Sequence, residues 1–134
     1  MLACVDVDYR DEGAVAACVL FGDWADERPT AERVERIARV EPYQPGQFYR
    51  RELPCLLAVL GPVAEGLEAV VIDGYVWLRD EDTPGLGGHL YEALSRAVPV
   101  VGVHRPRPPA RRWGLPHYRT RPRRLHQTTS RAAC

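Results

Sequence analysis

Three carboxylates stand where apolar side chains are expected. Asp6 interrupts Leu2-Ala3-Cys4-Val5-Asp6-Val7, a run apolar on both faces and therefore suited to the middle of a sheet. Glu52 lies four residues after Phe48 and four before Leu56, so the helical spacing of Phe48, Cys55, Leu56, Val59 and Leu60 puts it on their apolar face. Asp73 closes the short apolar run Ala69-Val70-Val71-Ile72 at the turn signal Asp73-Gly74. An ionised carboxylate in such surroundings is costly unless it pairs with a cation or binds a metal. Three brought together raise one another's pKa, and a divalent cation resolves that conflict. Magnesium or manganese suits them, since both take hard oxygen ligands and leave positions for water and phosphate. The chemistry of such a centre is phosphodiester hydrolysis. Salt bridges from Glu52 to Arg50, Arg51 or a more distant arginine, in an α/β domain without catalysis, are the other reading of the same residues.

The elements that must position these acids follow from periodicity. Leu2 to Val7 reads as a first strand, with Asp6 enclosed between valines and Asp8 at the fraying end before Asp11-Glu12-Gly13. Gly13 to Phe21 is a second strand that returns antiparallel. Residues 31–40 suit a third strand ending at Val40, behind a polar stretch. The proline-bracketed turn Pro42-Tyr43-Gln44-Pro45-Gly46 leads into a helix that ends at Gly61-Pro62, with Pro54 in its early turns. A buried strand over 69–72 follows, then an acidic and glycine-rich loop over 79–88. A second helix begins at His89, and Pro99 to Val103 forms a last buried strand. A three-strand meander followed by βαβ units is the pattern of a ribonuclease-H-like mixed sheet, an α/β fold. In that architecture the first strand, first helix and fourth strand bring Asp6, Glu52 and Asp73 together.

Composition divides the chain. The 134 residues suffice for one domain with a real core, and a hydrophobic fraction of 46% is ordinary for a globular protein. The apolar runs are too short to span a membrane, and Met1-Leu2-Ala3-Cys4 carries no basic leader, so a cytoplasmic protein without a signal peptide is expected. Cys4, Cys18, Cys55 and Cys134 have no zinc spacing and read as reduced thiols, mostly buried. The net charge of zero conceals a split: residues 1–103 hold all 18 acids and 9 arginines, whereas residues 104–134 hold 9 arginines and no acid.

Five segments carry a family resemblance. Val5-Asp6-Val7-Asp8-Tyr9-Arg10, Pro42-Tyr43-Gln44-Pro45-Gly46 with Arg51-Glu52, Val71-Ile72-Asp73-Gly74, Gly85-Leu86-Gly87-Gly88-His89-Leu90 and Val101-Gly102-Val103 resemble endonuclease V, the deoxyinosine-specific repair nuclease. The matches keep the family's order and spacing over residues 1–103. The resemblance implies that Asp6, Glu52 and Asp73 bind magnesium, with manganese as substitute, and that the reaction leaves 3′-hydroxyl and 5′-phosphate ends. It implies that Tyr43 is an aromatic wedge entering the duplex where the damaged base has left the stack. It implies that Pro45 and Arg51 also contact DNA. Gly46, Gly74, Gly85, Gly87 and His89 match segments around the pocket for the flipped base, where glycines let backbone approach the ligand; His89 as an N-terminal helix residue without a ligand is the other reading. The implied partner is deoxyinosine-containing DNA, with inosine-containing RNA as a further substrate class, and the expected state is a monomer.

The chain also departs from the family. Tyr75-Val76-Trp77-Leu78 follows Asp73-Gly74 where the family often has a histidine, and His104-Arg105 stands where the family has alanine and lysine. We therefore expect a catalytic core over 1–103, incomplete at its C-terminal side, and a disordered arginine- and proline-rich tail over 104–134. A frameshift after Val103 would produce such a tail, and a basic arm holding DNA phosphates is the alternative. A non-catalytic nucleic-acid-binding remnant, or another ribonuclease-H-like nuclease, remains the alternative to turnover.

Overall fold

The structure, a computed structural model, describes residues 1–11, 13–78 and 82–104 and the short strand Thr128–Thr129. The element order is β1 (Leu2–Arg10), β2 (Gly13–Phe21), β3 (Ala31–Ile37), α1 (Phe48–Leu60), a 3-10 turn (Gly61–Val63), β4 (Ala69–Asp73), α2 (Leu86–Ala93), β5 (Val100–Val103) and β6 (Thr128–Thr129). They form a single sheet of order β3-β2-β1-β4-β5-β6. The first three strands are antiparallel, and β4 and β5 run parallel to β1. This is the ribonuclease-H-like arrangement, with the chain's most apolar strands at its centre.

One core fills one side of the sheet. Ala3, Val5 and Val7 of β1, Ala16 and Cys18 of β2, and Val70, Ile72 and Val100 meet Cys55, Leu56, Val59 and Leu60 of α1 and Leu90 of α2. Gly13 is demanded by close packing, since a Cβ there would lie 2.2 Å from the carbonyl oxygen of Ile37. Gly102 is similarly fixed, its Cβ direction ending 2.4 Å from the carbonyl oxygen of Gly74.

Several element boundaries differ from the sequence expectation. β1 does not fray at Asp8: Asp8, Tyr9 and Arg10 pair with Val15, Ala14 and Gly13, and Arg10 bridges Asp8 at 2.6 Å. β3 stops at Ile37 rather than Val40: Ile37 pairs with Ala14, and only Gly13 of β2 lies beyond that pair. α2 begins at Leu86, not His89. The amides of Gly87 and Gly88 donate to the carbonyls of Tyr75 and Val76, so the preceding segment caps the helix and overrides the poor helix propensity of the glycines. The free thiols Cys18 and Cys55 are buried as expected, whereas Cys4 is exposed, on the side of β1 away from the helices.

The expectation of a tail outside the fold falls mostly outside the described residues. Within it, Thr129 and Thr128 pair antiparallel with Val101 and Gly102. No described helix is long and apolar enough to cross a membrane.

Candidate active site

Asp6 and Asp73 come to the site on neighbouring parallel strands. The parallel register runs from Leu2 with Ala69 to Val5 with Ile72, and Asp6 and Asp73 are the next residues on the two chains. Val5, Val7 and Ile72 point into the core, so alternation turns Asp6 to the opposite face, whereas Asp73, the last residue of β4, lies at the strand end beside α1 and α2; both aspartates are exposed. Asp6 is thus not enclosed, as its valine neighbours suggested: they face the helices and it does not. Its Oδ1 accepts a hydrogen bond from the amide of Val7 at 2.9 Å.

Glu52 arrives from α1 and is the one buried charged side chain among the described residues, 6% exposed. Its Oε2 is buried without a hydrogen-bond partner, and no ion pair to Arg50 or Arg51 forms. Burial first, then the negative charges of Asp6 and Asp73, raise its pKa to about 7. The three acids therefore interact electrostatically. Among the described residues they do not close into a ready group of three or more metal ligands. An orphaned buried carboxylate oxygen and two open aspartates nevertheless fit a hard divalent cation by donor chemistry.

Arg51 takes another partner. Its guanidinium carbon lies 3.8 Å from the centre of the Tyr9 ring, a cation–π contact. Tyr9 in turn meets Phe48 edge to face, with centroids 6.5 Å apart. The Tyr9 hydroxyl and the Arg51 Nε are both buried and unpaired, and burial followed by the charge of Glu52 raises the Tyr9 pKa.

A pocket of about 660 Å³ opens beside Asp73. Gly46, Phe48, Tyr49 and Arg50 form one wall, and Asp73, Gly74, Tyr75, Gly85, Leu86 and His89 form the other. Tyr49 and His89 stack across it with ring centroids 3.6 Å apart. Gly46 owes its identity to the backbone: the amide of Gln47 closes a turn onto the carbonyl of Gln44, and Gly46 at its third position has φ +79°. With Pro45 at the second position, this is a type II turn.

The other sequence-selected residues divide into lining and packing positions. Gly74 and Gly85 line the pocket, but a Cβ on Gly85 would sit 2.4 Å from the carbonyl oxygen of Tyr75, so close packing already demands glycine there. Gly87 lies outside the lining and packs against Val76 and Ile72, at 2.9 and 3.1 Å from a Cβ position. Its glycine serves helix–strand approach rather than a ligand. Tyr43 is 58% exposed and touches Phe48 edge to face at 6.4 Å. Pro45 is exposed beside it. Sequence reasoning assigned no site role to Tyr9, Phe48, Tyr49, Tyr75 or Leu86. Adjacency was the available signal for Tyr75 and Leu86, which flank the selected Gly74, Gly85 and Gly87; Tyr9, Phe48 and Tyr49 lie two or three residues from any selected position.

Comparison with known proteins agrees with this fold. Residues 1–108 match the Endonuclease V family profile. The Endonuclease V of Xanthomonas campestris pv. campestris is 33% identical over 109 residues, which are 80% of this chain and 44% of the relative. That of Xylella fastidiosa is also 33% identical over 109 residues, with the same coverage. The crystal structure of Endonuclease V from Streptomyces avermitilis superposes with a TM-score of 0.63 at 33% identity, over 78% of this chain and 45% of that one. Ciona intestinalis Endonuclease V in complex with a 24mer DNA containing an inosine followed by a ribo-adenosine has a TM-score of 0.65 over 78% and 45% of the two chains; at 18% identity it supports the fold alone. The chain spans less than half the length of these relatives. Its profile match, identity and fold together place it plainly: the chain belongs to the endonuclease V family.

Proposed function

We propose that this chain carries the acid centre and base pocket of an endonuclease acting on inosine-containing DNA. The observation that carries the reading is that Asp73 belongs to both features: it neighbours Asp6 and Glu52 and also lines the 660 Å³ pocket. A base held in that pocket would lie against the carboxylates.

Asp6, Glu52 and Asp73 would hold magnesium or manganese. When bound, the cation supplies Lewis-acid stabilisation of charge developing on the phosphate. Glu52 then serves as an ionised ligand, although its raised pKa leaves it partly protonated near neutrality without a cation. Tyr49 and His89, stacked on each other, leave an outer ring face on which a planar base can stack, while Leu86 and Tyr75 exclude water from it. The type II turn at Gly46 holds Tyr43 outward as the wedge filling the gap left by the base. Arg51, backed by Tyr9, offers a cation to a nearby phosphate. Inosine-containing RNA, a role in repair, a monomeric state and a cytoplasmic location belong to the same proposal.

A second reading is a nucleic-acid-binding domain without turnover. It is favoured by the absence, among the described residues, of a closed group of three metal ligands. Incubating the chain with inosine-containing and undamaged duplexes, with and without magnesium, separates the two. Magnesium-dependent nicking near inosine supports the enzyme. Inosine-selective binding without nicking supports the binding domain, and equal binding to both duplexes removes the base-pocket reading.

A further inference from the structure

The cavity beside Asp73 is larger than one base needs. Its 660 Å³ falls in the range that encloses a drug-sized ligand, and a purine base is a fraction of that size. Exposed apolar side chains gather around it. Phe48, Tyr75 and Leu78 are each between 44% and 49% exposed, and all three line this cavity. Such groups scattered singly mean little, but a cluster at one opening marks a ligand surface. Two aromatic pairs border the space. One is Tyr49 with His89, the stack proposed for the inosine base. The other is Tyr75 with His104, whose ring centroids lie 4.1 Å apart with the planes tilted by 32°. The sheet builds this second pair. The amide of Gly74 donates to the carbonyl of Val103 at 2.8 Å, which ties the ends of β4 and β5 just before the two residues. The carbonyl of Tyr75 accepts the amide of Gly87 at 3.0 Å, which fixes Tyr75 to the start of α2. His104 is half-buried behind the Tyr75 ring, and nearly half of Tyr75 stays open. Both residues depart from the endonuclease V pattern, and the departures touch: the alanine of that pattern at position 104 has no ring to brace position 75. The pair follows Asp73 and Val103 at the carboxyl ends of parallel strands, where α/β sheets hold ligands.

We infer that Tyr75, braced by His104, is a second base-stacking site, which takes the base of a nucleotide adjoining the inosine. This site rests on the inosine pocket of the proposed function and adds a neighbour to it. When the inosine base leaves the stack, the adjoining base loses one stacking partner, and the open surface of Tyr75 replaces it. Every base has a flat π-face, so the site senses that a neighbouring base is present rather than which base it is. Tyr75 is thereby a substrate-binding residue, and His104 is a positioning residue that acts through it.

The test is equilibrium binding of the full chain to short single-stranded DNAs, with calcium in place of magnesium and strand integrity checked by electrophoresis. Each strand carries an inosine with both neighbours present, or with the 5′ or the 3′ neighbour replaced by an abasic residue. Fluorescence anisotropy of a terminal dye gives each Kd. Loss of one of the two neighbours should weaken binding by roughly 5- to 150-fold, the scale of one base–aromatic stack. Tyr75→Leu should bind the intact strand that much more weakly and no longer distinguish it from the abasic one. Tyr75→Phe should keep the distinction. His104→Ala should reduce it, and His104→Phe should restore it. Circular dichroism checks each variant, and the ratio of intact to abasic affinity is a readout that partial unfolding leaves unchanged, since unfolding lowers both affinities alike. Two outcomes would overturn the proposal: a chain indifferent to both abasic replacements, or the same abasic penalty in Tyr75→Leu as in the unsubstituted chain. A strand with adenosine for inosine scores the pocket separately. No preference for inosine overturns the pocket, whereas a preference without any dependence on Tyr75 overturns the second site alone. Absence of binding to every strand overturns both.

Discussion

Tyr49 and His89 stack nearly parallel, 15° apart, and in doing so tie α1 to α2 across the pocket beside Asp73. Neither residue belongs to the acid centre, yet their contact fixes the width of the cleft beside it. Burial lowers the His89 pKa, so the folded state favours neutral imidazole. The unfolded chain therefore takes up the proton first, and stability is lost as pH falls from about 6.5 through the lowered folded value. His89→Phe should keep the stack and remove this acid sensitivity. His89→Ala should cost roughly 0.5–1.5 kcal/mol, read by urea unfolding at pH 5.5 and 7.5.

Glu52 gives the opposite slope. Its folded pKa of about 7 lies above the unfolded carboxylate value, so its contribution is full below the unfolded value and is lost as pH rises through about 7. Glu52→Gln should flatten that fall and be the more stable protein at pH 8, by on the order of 1 kcal/mol once partial solvent access is allowed for. Magnesium should raise the melting temperature of the unsubstituted chain more at pH 8 than at pH 5.5, because the cation displaces the proton. EDTA should reverse the gain, and Asp73→Asn should diminish it. A magnesium shift that is the same at both pH values would dissociate Glu52 from the cation.

Two pocket glycines should respond differently to a methyl group. At Gly74 the nearest atom to a Cβ is Leu86 Cδ2 at 3.7 Å, an ordinary contact, whereas at Gly85 it is the Tyr75 carbonyl oxygen at 2.4 Å. Gly74→Ala should stay within about 0.5 kcal/mol of the original stability while narrowing the pocket. Gly85→Ala should destabilise by roughly 1–3 kcal/mol through overpacking. Chemical denaturation, paired with binding of an inosine-containing duplex, reads both effects.

Tyr43 tests the wedge. It is exposed and meets Phe48 edge to face, so Tyr43→Ala should leave the fold intact. Binding to inosine-containing duplex should weaken by roughly 1–3 kcal/mol, the scale of one lost base–aromatic contact. An equal loss on single-stranded inosine DNA, where no gap needs filling, would count against a wedge.

Much of this protein was legible in its sequence because periodicity reports burial directly. The alternation in β2, the spacing of Cys55, Leu56, Val59 and Leu60, and the valine-rich β4 and β5 placed the strands, the first helix and the buried position of Glu52. The Gln44-Pro45-Gly46-Gln47 turn was equally local, since proline and a left-handed glycine define it without help from elsewhere. What tertiary structure alone decided were the partners. A period of two says that Asp6 shares a side with Cys4, but not which side the helices choose; they cover the Val5 and Val7 side and leave Asp6 open. The glycines at 85, 87 and 88 read as loop because propensity is local, whereas the carbonyls that cap them come from Tyr75 and Val76 across a turn. Arg51 was free in sequence to pair with any acid, and found the face of Tyr9 instead. Register and layer order are properties of contacts between distant segments, so they were settled only when the chain closed on itself.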